Sequence, residues 1–454
     1  MTQQIDLIVR GAKLVTSGDQ NEVDLYVHEG KVVGLGRLDL SSREVVDGRG
    51  LFLLPGMIDA HVHFMDPGDP AREDFPSGSA AAAVAGVTTV IEHSHGVRVT
   101  NGATLHKKVE YLKDRSVIDF GLGAHFSDRG LDEIQEALQE GAAFIKVFTC
   151  ATHGLDAVEN GLLFQSMKRF ASEGALYLVH AEDESLTKVA EAELRQAGRE
   201  DGMVIPEWRN RLAEQVAVTT VAQLAQASGA NVVIAHCSHP LIVDIVGHYR
   251  TQGARIWAEG CPQYFYLREE EIKEQGAFRK FTPPARALTS DDLEAMWERL
   301  RKGAISYLAS DHAPSTRSQK TQGSIWDVHF GLPGIDTTFP VMLDAVCRGN
   351  LGLSRLVELY ALMPARIYGL YPQKGTLQVG SDADFILIDL NGTRVIQDRD
   401  ILSKARWTPF AGKEVKGRVA ATYLRGQKVA EGGKCLASPG TGRFIPIKRR
   451  CSES

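Results

Sequence analysis

Cysteine is sparse and unpatterned in this sequence. The six cysteines (Cys150, Cys237, Cys261, Cys347, Cys435 and Cys451) form no CxxC pair. That argues against a disulfide framework or a zinc knuckle, and for reduced thiols in a cytoplasmic protein. Long apolar runs are missing as well. No stretch reaches the roughly 18 uninterrupted apolar residues a membrane helix needs. The opening residues MTQQIDLIVRGAK lack the charged-then-apolar pattern of a secretory leader. There is no excess of positive charge: Lys and Arg number 51 against 57 Asp and Glu, for a net charge of −6. Without a basic stripe, neither nucleic acid nor a membrane surface is an expected partner. The single cationic run, IKRR at 447–450, reads as a solvated tail.

The 43% hydrophobic and 24% charged residues are a globular composition. A chain of 454 residues is too long for one ordinary core, which suggests a large barrel plus something smaller. No internal repeat is visible, and the one biased segment, AAAAVAG at 80–86, suits a close-packed helix.

Both ends read as short alternating strands. IDLIVRGAKLV, DLYVHEGKVVGLG and EVVDGRGLFL open the chain, with Glu29-Gly30 and Asp47-Gly48 as hairpin punctuation. GTLQVGSDADFILIDL and VAATYLRGQKVAEGG answer near the other end. Neither half can bury a core alone, so a β-sandwich built from both ends is expected. Between them eight apolar runs alternate with helical stretches: GMIDAHVHF, VTTVIEHS, IDFGLGAHF, AAFIKVF, ALYLVHAE, NVVIAHCS, ARIWAEGCP and ISYLASDHAP. Continuous apolar strands alternating with helices argue parallel strands covered on both faces, an α/β fold of the (β/α)8 barrel type. The expected division is 1–54 and 373–440 for the sandwich, 55–372 for the barrel and 441–454 for a tail.

Barrel chemistry sits at the carboxyl ends of the strands. Those ends carry His61 and His63, Lys146, His180, His236 and Asp311. One histidine at a strand end is ordinarily structural. Four of them with an aspartate on separate strands suit zinc or a similar first-row metal. Lys146 lies between apolar neighbours in FIKVF, where an ammonium tends to lose its proton. A neutral lysine amine reacts with CO2 to give a carbamate, an anionic oxygen ligand able to bridge two cations.

The set resembles the binuclear cyclic-amide hydrolases of the amidohydrolase superfamily: hydantoinases, dihydropyrimidinases, allantoinases and dihydroorotases. The stretches that carry the likeness are PGMIDAHVHF, GVTTVIE, FIKVF, VHAED, AHCSHP, CPQYFYL, TPPARA, SDHAP, GLPGID and KGTLQVGSDADF. Among these subgroups hydantoinases match best, especially in YPQKGTLQVGSDADFILIDL. The resemblance implies that His61, His63 and Asp311 hold one zinc, that His180 and His236 hold a second, and that carboxylated Lys146 and a hydroxide bridge them. It implies hydrolysis of a ring C–N bond, with Asp311 moving the proton and His312 as structural support. Backbone near Thr282 and Gly331 would orient the ring. It also implies a homo-oligomer, commonly a tetramer, which the tail GTGRFIPIKRRCSES is long enough to help build.

Departures bear on the substrate. Met65 stands where dihydroorotases carry a substrate-clamping Arg, and EHSHG replaces their Asn after the second strand, which disfavours an anionic ring. Arg72 or Arg98 could reach in from loops to compensate. Ala151 stands where many hydantoinases carry an oxyanion-donating Tyr, with Thr152 and His153 as substitutes. Met65, Phe330 and Trp326 are expected to form an apolar wall, pointing to an aryl or alkyl substituent. Allantoin, dihydrouracil and cyclic imides are the competing substrates. A mononuclear deaminase is disfavoured by Lys146, and a non-catalytic scaffold by the complete ligand set.

Overall fold

The computed structural model describes residues 4–448, apart from 17, 19, 94 and 127–129. Five strands open the chain: β1 (Ile5–Val15), β2 (Gln20–His28), β3 (Lys31–Leu35), β4 (Ser42–Asp47) and β5 (Phe52–Pro55). The barrel strands follow: β6 (Met57–Val62), β7 (Val87–Glu92), β8 (Asp119–Leu122), β9 (Ala124–His125), β10 (Ile145–Phe148), β11 (Leu176–His180), β12 (Asn231–Ile234), β13 (Ile256–Gly260) and β14 (Tyr307–Leu308). The last four are β15 (Phe385–Val395), β16 (Glu414–Leu424), β17 (Gln427–Glu431) and β18 (Lys434–Cys435).

The two chain ends share one nine-stranded sheet, ordered β18-β17-β16-β15-β5-β1-β2-β3 with β4 beside β1. It folds back on itself, because Gly30 and Val32 beside β3 bond to residues 380–383 just ahead of β15. Leu7, Val9, Leu25, Leu53, Phe385 and Tyr423 fill the space so enclosed. Glu29-Gly30 makes the expected hairpin between β2 and β3, both residues having positive φ (49° and 74°). Asp47-Gly48 does not close a hairpin: β4 and β5 run one after the other, both parallel to β1. A Cβ on Gly48 would lie 2.7 Å from that of Ala12, so the glycine serves close passage along β1 and not chain reversal.

The barrel strands are buried along nearly their whole length, as continuous apolar runs under a helical cover must be. They form two parallel sheets, β6-β7-β8 and β9 through β14. Only Gly123 separates β8 from β9, and a Cβ there would meet the Phe144 ring at 2.3 Å. At the other seam Val62 pairs with His312, and the His63 N–H donates to the His312 carbonyl at 2.8 Å. With β8 and β9 counted as one, the eight expected strands therefore close a circle. Ile58, Ile91, Leu178, Val233 and Ala309 meet inside it. Burying each large aliphatic side chain there contributes about 1.5–3 kcal/mol.

The alanine-rich segment is the helix Phe75–Val84, capped by Asp74 accepting from the Ser77 N–H. Ala81, Ala82 and Ala83 are fully buried where this helix lies between β7 and strands β16–β18. A second tie between barrel and terminal sheet is ionic. The Lys374 ammonium meets Asp119, Asp382 and Asp384 at 2.7, 3.0 and 2.5 Å, and Arg425 also pairs with Asp119. Burial disfavours the Lys374 charge, but the three carboxylates outweigh it and hold the lysine protonated.

The segment from 441 follows its own barrel. Arg443 and Ile445 bond to Phe120, Ile447 bonds to Gly141, and Ile447 is buried in the cluster that fills the barrel interior. Residues 441–448 thus lie along their own barrel; residues 449–454, with Cys451 and the end of IKRR, lie outside those described.

Candidate functional site

Strand alternation decides which side chains enter the barrel mouth. On β10, Phe144 belongs to the interior cluster, so Lys146 and Phe148 share its side. On β11, Leu176 and Leu178 are interior and His180 follows them. On β13, Trp257 packs toward the interior and Glu259 follows. On β7, Ile91 leads in the same way to His93.

Two positions break the alternation. On β6 the residues from Asp59 to Val62 oppose only Val90 to Glu92, an extra residue that re-aims His61 and His63 after the interior Ile58 and Ala60. Beyond β12, His236 has the parity of the outward-facing Val232 and Ile234, yet its φ of +38° turns the ring back to the mouth. Asp311, after β14, is also left-handed (φ 50°). Such backbone costs a non-glycine residue about 1–3 kcal/mol and persists only where its surroundings enforce it.

The groups converge. Asp311 Oδ1 lies 3.3 Å from Nε2 of both His61 and His63. His180 Nδ1 lies 3.0 Å from His236 Nε2. All four imidazoles and Lys146 are buried, and with Asp311 they line one cleft. Burial holds the pKa of His180 below the ordinary imidazole value, and those of His61 and His236 well below it, so these rings are neutral near pH 7. Burial also lowers the Lys146 ammonium to about 8, against the opposing pull of Asp311 and Glu259.

Hydrogen bonds settle which nitrogen is free. His61 Nδ1–H donates to Glu259 Oε1 at 2.7 Å, and His63 Nδ1–H to the His93 carbonyl at 2.8 Å. His180 Nε2–H donates to Glu182 Oε2 at 2.8 Å. That leaves lone pairs on His61 Nε2 and His180 Nδ1 directed at the cleft, while His63 Nε2 faces Asp311 Oδ1 at 3.3 Å. His61 Nε2 and His236 Nδ1 are buried without a hydrogen-bond partner among the described residues. Buried unpaired nitrogens beside a carboxylate and a largely desolvated amine fit divalent cations, in the manner of ligands oriented by an outer layer of acceptors.

Thr282, His153, Phe330 and Gly331 line the cleft. The Thr282 hydroxyl donates to Glu182 Oε2 at 2.7 Å, so its side chain is anchored. The Gly331 N–H is committed to the Lys280 carbonyl at 3.1 Å, which leaves its own carbonyl available. A Cβ on Gly331 would lie 2.3 Å from the Ala313 oxygen, which explains the glycine. Met65 is buried and does not line the cleft. Trp326 stands behind Phe330, its ring tilted 49° against that of Trp208 and its indole N–H donating to the Arg199 carbonyl. Arg72 is tied to the Pro314 carbonyl and Arg98 is exposed. Ala151 is exposed, and the Thr152 hydroxyl is buried without a partner among the described residues. His312 accepts from the Gly334 and Ile335 N–H groups and faces Glu73, away from the cleft.

Sequence reasoning missed Glu259 and Glu182, although an acidic residue inside or just after an apolar strand was a visible signal. It also missed His95 and Phe148, which line the cleft. His95 stacks on His153 at 4.2 Å. His93 is buried with neither ring nitrogen partnered among the described residues, and one of its nitrogens lies within 4.8 Å of nitrogens of His61 and His63. Cys150 neighbours His180 and Glu182, but burial pushes its thiol up to about 12, and it accepts from Arg209 as an inert group. Glu182 is desolvated, but Arg209, His180 and Arg286 outweigh that and hold it ionised, near 2.

Residues 52–429 match the family model described as the amidohydrolase family. The chain is 32% identical to an L-hydantoinase of Paenarthrobacter aurescens over 97% of its own length and 98% of that protein. It is also 32% identical to an allantoinase of Rubrobacter xylanophilus over 99% of each. The solved structure of an L-hydantoinase (dihydropyrimidinase) from Arthrobacter aurescens superposes with a TM-score of 0.94, at 32% identity, over 98% of this chain and 100% of that one.

Proposed function

This chain belongs to the amidohydrolase family, and we propose that it hydrolyses the ring C–N bond of a small cyclic amide, a 5-substituted hydantoin first among them. The observation that carries this reading is the set of imidazole lone pairs, oriented in advance by Glu259, the His93 carbonyl and Glu182, that faces one small cleft beside Lys146 and Asp311.

His61, His63 and Asp311 would hold one cation, and His180 and His236 a second. Nitrogen and carboxylate donors of this kind suit zinc. Neutral Lys146 Nζ would form a bond to the carbon of CO2 and release one proton, leaving an anionic carbamate shared between the two positions. Cations bound there supply Lewis acidity to the substrate carbonyl and lower the pKa of water.

The protein's own groups do the rest. Asp311 takes a proton as water oxygen bonds to the carbonyl carbon, then gives it to the ring nitrogen as the C–N bond breaks. Thr282 and the Gly331 carbonyl hold the –NH–CO– edge of the ring. His153, stacked on His95 and left-handed at φ 53°, replaces the missing tyrosine as donor to the developing oxyanion. Phe148 and Phe330 form the apolar wall against the substituent.

A second reading, allantoin as substrate, is favoured by the stacked His95–His153 pair, which puts imidazole nitrogens in the cleft wall, a lining suited to a polar ureido group. The test is turnover by zinc-replete, bicarbonate-treated protein on 5-substituted hydantoins of both hands, allantoin, dihydrouracil and succinimide. Cleavage of hydantoins ahead of the others is expected. Allantoin as the best substrate would install the second reading, and no turnover of any ring would remove the proposal. Cytoplasmic location and assembly into a tetramer accompany the proposal, supported by the buried thiols Cys150, Cys237 and Cys261 and by exposed apolar Leu212 and Val216 one helical turn apart.

A further inference from the structure

Resting on the two-cation reading above, we infer that Glu259 is a positioning residue that couples the two halves of the centre. One oxygen serves both. Glu259 Oε1 accepts from His61 Nδ1–H at 2.7 Å, the ring assigned to the first cation. It also accepts at 2.8 Å from the backbone N–H of His236, whose ring is assigned to the second. The other oxygen is pinned in turn. Glu259 Oε2 accepts from the Tyr307 hydroxyl at 2.6 Å, and that hydroxyl lies 2.6 Å from the Tyr368 hydroxyl. Glu259, His61, Tyr307 and Tyr368 are all at most 1% exposed, so water does not compete for these bonds.

A carboxylate suits this position because it only accepts. Its bond to His61 keeps the proton on Nδ1 and the lone pair on Nε2. Its bond to the His236 N–H holds the chain at the residue whose +38° φ returns the ring to the cleft. Without the acceptor, His61 is free to take its other tautomer, which closes Nε2 to a ligand, and His236 loses the tie that opposes its backbone strain. Glu182 makes the comparison, since it holds the His180 ring and no group of the first set. Glu259 does not line the cleft, so its effect passes through the ligands and not through the substrate.

The experiment is zinc titration of metal-depleted full-length protein against a chromophoric chelator, with the melting temperature of each metal-free form recorded. The forms are the parent, Glu259→Leu, Tyr307→Phe and Glu182→Gln. A parent that takes up two zinc ions is the starting condition; a parent that takes up none overturns the two-cation reading itself, and the coupling with it. Given two ions in the parent, Glu259→Leu is expected to weaken both by about ten- to hundredfold, the usual effect of losing an outer-layer partner. Glu182→Gln is expected to weaken one. Tyr307→Phe keeps the carboxylate but loses its anchor, and is expected to weaken both by less; it carries the test if Glu259→Leu does not fold. At saturating zinc Glu259→Leu and Tyr307→Phe are expected to show the parent KM. Unchanged affinities in Glu259→Leu, or in Tyr307→Phe where it stands in, overturn the coupling and leave the two-cation reading in place. So does weakening of one ion only.

Discussion

His180 Nδ1 faces His236 Nε2 across 3.0 Å, while the opposite nitrogen of His180 is already given to Glu182. Two neutral imidazoles in that attitude gain at most one hydrogen bond. A cation between them satisfies both, and the same holds for His61 and His63 around Asp311.

Removing the amine of Lys146 tests the shared anionic ligand. Lys146→Ala should lose most bound zinc and most activity, and short carboxylic acids added to the buffer should restore part of both by supplying oxygens to the gap. Elemental analysis and turnover check this together. Full metal and full rate in the variant would end the carbamate proposal.

Asp311→Asn keeps shape and an oxygen but cannot accept a proton. Turnover should fall about 10²- to 10⁴-fold, the range for a lost general base, with little change in melting temperature. A rate near that of the parent would take Asp311 out of the proton path.

The ionic joint between barrel and terminal sheet should be costly to break from one side. Lys374→Met leaves Asp119, Asp382 and Asp384 facing one another in a buried space. The expected loss is about 3–5 kcal/mol, read by urea unfolding. It should shrink as pH falls and the carboxylates take up protons. A loss below 1 kcal/mol would show that Arg425 and Lys31, whose ammonium meets Asp382 at 2.6 Å, neutralise the group unaided.

Asp336 supplies a pH signature. Burial raises its pKa to about 6, although it accepts from the Leu402 and Ser403 N–H groups, and its Oδ2 has no partner among the described residues. The unfolded carboxyl ionises near 3.8 and the folded one near 6. Between those values the folded state binds more protons, so its stability falls as pH rises through the window and levels off above it. Asp336→Asn should be spared that fall. The two proteins should diverge by up to about 3 kcal/mol between pH 4 and 6.5 in denaturant titrations. Parallel profiles would mean that Asp336 is charged in the fold at little cost.

The residue types at the strand ends and the periodicities were determined by the sequence alone. A barrel strand buried on both faces is a continuous apolar run, and the ligand-type residues stand out at its end. The terminal strands alternate because one face is wet. Those are local properties of the chain, and the eight barrel runs and most end strands follow from them. Direction and partnership were decided by the tertiary structure. The extra residue on β6 and the left-handed turn at His236 determine that these rings enter the barrel, and neither is visible to a rule of strict alternation. The same limit applies to Asp47-Gly48, where pairing with β1 overrode a local turn signal. It applies to Met65 and Trp326, whose distance from the cleft depends on how loops fold over the mouth. It applies above all to Glu259, which meets His61 from 198 positions away. Hydrogen-bond partners so remote in the chain become neighbours only when the circle of strands closes.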